Sequence, residues 1–142
     1  GVALQFVGDL EQLRPGVRLL DGNQIDIVRT LALTGSGATL IVLDLRRYER
    51  WLIDALSLAR ERGAWTVALT DNVLSPLASV AEHSFVVSAA STGPFDSHVG
   101  TLALLNLFVV EVAAARREHA AERLEAIEMA WGDADALTDD GK

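Results

Sequence analysis

Leu40–Asp71 constrains the fold more than any other stretch, because two apolar runs of strand length flank one amphipathic helix within it. Thr39-Leu40-Ile41-Val42-Leu43 is too short for a helix, and the turn signal Gly35-Ser36-Gly37 precedes it. Trp51, Leu52, Ala55, Leu56 and Ala59 then recur at helical spacing, while Glu49, Arg50, Asp54, Arg60 and Glu61 take the opposite face. Gly63 stands where a left-handed C-cap needs no Cβ, and Trp65–Thr70 is a second buried-strand run. The sequence therefore predicts a βαβ unit. Its two strands are parallel and its crossover right-handed, so both carboxyl ends lie on one edge of the sheet, where open α/β sheets bind ligands. Asp44, Arg46, Arg47 and Tyr48 arrive there from the first strand, and Thr70, Asp71 and Asn72 from the second.

The flanking segments extend the same architecture. Val2–Leu13 predicts a helix stopped by Arg14-Pro15-Gly16, and its apolar face begins at once, as in a chain cut from a longer one. Val17–Leu20 is a strand candidate, and Gln24–Leu33 a helix with Ile25, Val28, Leu31 and Ala32 inward. Ser75 caps a short helix from Pro76 to Ala81, with proline at the first helical position, where its missing N–H costs nothing. Ser84–Ser88 completes four predicted strands, and Ala89–Ser97 is a loop. The expected fold is a three-layer αβα sandwich around a doubly wound, flavodoxin-like parallel sheet, over residues 1–132, with an acidic, disordered tail at 133–142.

Val99–Val112 is apolar nearly all round, and Ala120, Leu124, Ile127 and Trp131 form a narrow stripe. These C-terminal helices are the expected interface of a homodimer or homotetramer, with Asn106 fixing register. Leu102–Ala115, at 14 residues with Asn106 and Glu111 inside, falls short of the roughly 20 needed to span a membrane. The absence of cysteine removes disulfides and thiolate chemistry and is compatible with the cytoplasm. A net charge of −8, from 20 acids against 12 bases, disfavours phosphate-backbone binding by this segment.

The order and spacing of several pieces resemble a sugar isomerase (SIS) domain, and more closely the effector half of RpiR-type transcriptional regulators. The resemblance is carried by Leu40–Asp44 with Arg47-Tyr48, Ala59–Ala64, Val67–Asp71, Leu74–Ala78 and Pro94–Ser97, within about Gly37–Val112. It implies a phosphosugar at the carboxyl edge, no cofactor, and DNA contact only through an N-terminal helix-turn-helix that this chain lacks. It also implies an expected first strand that is missing here. Where the family usually places a Ser-x-Ser loop, this chain has Asp44-Leu45-Arg46-Arg47. Asp44 repels a phosphate, whereas Arg46 or Arg47 offers a bidentate fork, so the substitution points to an altered ligand or to none.

Each candidate has a plainer reading. Arg46, Arg47 and Arg50 form an anion site at a helix start, or pair with Asp44, Glu49 and Asp54. Asp71 lines the pocket or caps a turn; Ser75 is mainly a cap; Ser97 joins the edge through the Pro94–Ser97 resemblance or starts the last long helix. His83, His98 and His119 share no metal-ligand spacing, and Asp96-Ser97-His98 are too close in sequence for a triad. Glycines 35 and 37 lack the dinucleotide-binding pattern. Glu111 is the best general-base candidate if the chain is a phosphosugar isomerase, and the third alternative is a degenerate interaction module whose pocket Asp44 has closed, for which Arg46 and Leu45 side chains filling the strand-end cleft would be the sign.

Overall fold

The structure, a computed structural model, describes residues 1–135. The chain divides into two compact units, one of Leu20–Leu102 and one of Gly1–Leu19 with the chain from Ala103 onward. In the first unit α2 (Gln24–Ala32) precedes β1 (Thr39–Leu43), α3 (Arg50–Glu61), β2 (Trp65–Thr70), α4 (Pro76–Val80) and β3 (His83–Val86). The second contains α1 (Val2–Leu13), most of α5 (Val99–Ala115), and α6 (Arg117–Asp133).

β1, β2 and β3 form a parallel sheet in that order, with Val42 opposite Ala68 and Ala68 opposite Ser84. Alternation places Val42 and Ala68 on one face, where they pack with Leu56 of α3 and Leu77 of α4. Leu56, Ala68 and Leu77 are fully buried. α2 joins α3 through Ile27 and Leu31 against Ala55, Ala59 and Ala64. The caps are those the sequence predicts: Ser75 Oγ accepts from the Ala78 amide at 3.1 Å, and Gly63 takes φ +86° after α3.

Four expectations are corrected. Val17–Leu20 is coil rather than a strand, because none of its backbone joins a ladder among the described residues, so the described sheet has three strands rather than four. In α2 the inward stripe runs through Ile27 and Leu31, while Ile25 and Val28 are exposed; two apolar stripes compete there, and contact with α3 selects one. β3 begins at His83 and ends at Val86, paired with Val67–Thr70, although the Val87 amide still donates to the Thr70 carbonyl at 2.8 Å. Helix α6 carries Asp133, which the tail was expected to include; residues 136–142 of that tail lie outside the described residues.

In the second unit α1 and α6 pack together, Phe6 and Phe108 lie 6.4 Å apart at 57°, and Arg123 donates to the Glu11 carbonyl. α5 keeps Leu105 buried but leaves Leu107 and Val110 exposed, along with Met129 on α6. Asn106 and Glu111 are exposed as well. Among the described residues no single helix is long and apolar enough to cross a membrane.

Candidate functional site

The carboxyl ends of the three strands meet an open cleft of about 470 Å³ lined by Arg46, Asp71, Val86, Ser88, Ala89, Ala90 and Ser91. That size falls within the roughly 300–1,000 Å³ typical of small-molecule sites. The β1 ladder continues into the Asp44 amide, which donates to the Leu69 carbonyl at 3.1 Å, and the chain then turns sharply. Arg46 sits in that turn at φ +65°, a left-handed conformation that costs a non-glycine residue about 1–3 kcal/mol. The conformation is held by Asp71 at the end of β2, whose Oδ1 accepts from the Arg46 amide at 3.0 Å and from the Tyr48 hydroxyl at 2.7 Å. A carboxylate delivered by one strand thus clamps the loop that follows its neighbour.

This clamp sets the electrostatics. The Arg46 amide and the Tyr48 hydroxyl stabilise the charged form of Asp71 and hold its carboxyl below the usual aspartate value of 3.8. The same bond keeps the proton on Tyr48 and raises its phenol above 10.0. Asp44 behaves oppositely: burial pushes it above 3.8, although its Oδ2 accepts from the Glu49 amide at 2.7 Å ahead of α3. The two carboxyls are therefore expected to titrate in opposite directions from 3.8 in a carbon-13 carboxyl NMR titration, Asp71 below and Asp44 above. The stabilisation from Asp71 is present above 3.8 and lost as pH falls through its lower folded value; that from Asp44 is present below 3.8 and lost as pH rises through its higher one. A common midpoint for both would exclude the clamp geometry.

The structure distributes the sequence-predicted residues over several roles. Only Arg46 and Asp71 line the cleft, with Tyr48 bonded behind them. Asp44 serves the start of α3, and Arg47 is exposed, its amide donating to the Leu45 carbonyl at 2.8 Å. Thr70 is fully buried at the end of β2; its hydroxyl makes no hydrogen bond of ordinary geometry but lies close enough to Tyr48 to temper the effect of Asp71 there. Asn72 Oδ1 accepts from the Leu74 amide at 2.8 Å, Ser75 caps α4, and Ser97 Oγ accepts from the Val99 amide at 3.4 Å.

The wall made by Val86–Ser91 is absent from the sequence reading, which applied the strand-end rule to two strands and not to the third. Ser88 and Ser91 each use their oxygen to accept a local amide, from Ala90 at 3.2 Å and from Gly93 at 2.9 Å. Those bonds do not consume the hydroxyl protons, which remain available as donors. The lining therefore combines one guanidinium, two hydroxyl donors and one carboxylate acceptor. It suits a ligand bearing an anion and a hydroxyl group. Among the described residues no group of acids and histidines is arranged to hold a metal ion.

A family profile described as SIS domain matches residues 2–111. The chain belongs to the SIS domain family. Among solved structures, the sugar isomerase domain of an RpiR transcription factor from Sphaerobacter thermophilus is 34% identical, with a TM-score of 0.80 over 90% of this chain and 72% of that one. The NanR protein of Vibrio vulnificus, solved in complex with ManNAc-6P, shares the fold at 17% identity and a TM-score of 0.78. That match covers 97% of this chain and 52% of NanR, so this SIS domain spans about half of the longer protein. No curated protein matches by sequence.

Proposed function

We propose that this SIS domain is the effector-sensing and dimerisation half of an RpiR-type regulator, and that it binds a sugar phosphate or related anion at the strand-end cleft. The observation that carries the reading is that Arg46, Ser88 and Ser91 line one cleft, with Asp71 in the same lining to accept from a sugar hydroxyl. An arginine fork and hydroxyl donors match a phosphate monoester, and the bond between Asp71 and the Arg46 amide fixes the backbone from which the fork projects. The cleft is open: Leu45 is buried in the core and does not fill it, which favours a sensor over a closed, degenerate module. The similarity to an RpiR regulator at 34% identity, and the ManNAc-6P bound to the NanR neighbour, support the same ligand class. The exposed Leu107, Val110 and Met129 would bury against a second copy, giving a homodimer through α5 and α6. Binding that favours one dimer geometry would shift the attached DNA-binding domains.

Isothermal titration against hexose and hexosamine 6-phosphates tests the ligand. Micromolar to millimolar binding is expected for the wild type, weakened about 10- to 100-fold in Arg46→Ala, as for a charge-assisted contact of ~1.5–3 kcal/mol. Failure of every sugar phosphate to bind the wild type at millimolar concentration would refute the sensor reading.

A further inference from the structure

We propose that Asp96 is a built-in competitor for the anion site, its carboxylate occupying the guanidinium that a bound anion needs, so that ligand entry releases the loop leading into α5. The proposal rests on the reading of the cleft as an anion site. Arg46 Nη1 donates to Asp96 Oδ1 at 2.6 Å, joining the turn after β1 to a loop fifty residues on. Arg46 is also the only cation among the residues lining the cleft. Its backbone is held at φ +65° by Asp71, which fixes the point from which the side chain projects, and Asp96 already takes an Nη donor that an anion would use.

The balance favours displacement. Both side chains are partly exposed, 53% for Arg46 and 34% for Asp96, and such a pair shifts an equilibrium by no more than about fivefold. A phosphate monoester carries about −1.5 to −2 charges at neutral pH and presents several acceptor oxygens, against the single charge of Asp96. The loop that Asp96 belongs to is closed at its base by the Ser97 amide, which donates to the Ala89 carbonyl at 3.0 Å. Ala89 itself lines the cleft, and α5 begins two residues after Ser97. Loss of the Arg46 contact therefore loosens a segment with one end in the cleft and the other at the start of that helix.

The test is titration of inorganic phosphate into the full chain, wild type and Asp96→Asn, with amide hydrogen exchange followed over residues 89–98. Asp96→Asn is expected to bind phosphate about three- to fivefold more tightly, and phosphate is expected to speed exchange of the Ser97 amide in the wild type. Asp54→Asn, which removes the same charge from the exposed face of α3, is expected to change affinity by less than about twofold. Equal affinity of wild type and Asp96→Asn, or an equal gain in Asp54→Asn, overturns the competition while leaving the anion site standing. Unchanged Ser97 exchange in phosphate-saturated wild type overturns the loop release, a readout that needs no variant to fold. Binding of phosphate and sugar phosphates by neither form overturns both readings.

Discussion

Leu56→Ala is expected to lower the free energy of unfolding by about 2–5 kcal/mol, read as a drop in the urea midpoint with an unchanged slope. Leu56 is fully buried at the centre of the cluster formed by Val42, Ala68 and Leu77, where one face of the sheet meets both α3 and α4. Two of those neighbours already have small or β-branched side chains, and strand pairing fixes the backbones of Val42 and Ala68 in the central register. The site therefore has few ways to collapse onto the cavity, which places the cost well above that of an ordinary surface change. A loss below about 1 kcal/mol would mean that α3 does not pack on the sheet as described.

Asp71→Ala, which leaves the guanidinium in place but unpositioned, is expected to weaken phosphate or sugar phosphate affinity by about tenfold, equivalent to ~1.4 kcal/mol. The substitution deletes the acceptor shared by the Arg46 amide and the Tyr48 hydroxyl. Arg46 then has nothing to compensate its left-handed backbone, and the turn relaxes toward conformations that aim the guanidinium elsewhere. Asp71→Asn keeps an oxygen acceptor without the charge and is expected to fall between wild type and alanine. The discriminating measurement is the Arg46 amide resonance: it should move in Asp71→Ala before any ligand is added. An unmoved resonance with unchanged affinity would show that the clamp does not position the fork.

Much of the scaffold was legible from local rules. Ser75 and Gly63 cap helices because a hydroxyl acceptor and a missing Cβ solve backbone problems that exist within a few residues of them. Val17–Leu20 departs from its strand pattern for the opposite reason: strand character in an apolar tetrapeptide is decided by whether another strand lies alongside, and none does among the described residues. The α2 stripe failed similarly, since Ile25, Ile27, Val28 and Leu31 allow more than one inward face and only α3 chooses.

The site shows the same division more sharply. Sequence by itself determined that a βαβ unit delivers Asp44–Tyr48 and Thr70–Asn72 to one edge, because strand direction and side-chain alternation follow from periodicity. Tertiary structure alone decided which of these residues act together. Asp71 reaches the Arg46 amide 25 residues away, and Asp96 reaches its guanidinium across 50. Hydrogen bonds over such separations depend on ångström-scale placement of strand ends and loops, which no local pattern encodes. The arginine standing where a serine was expected is visible in the chain; that it is twisted into a left-handed turn and held between two aspartates is visible only in the fold.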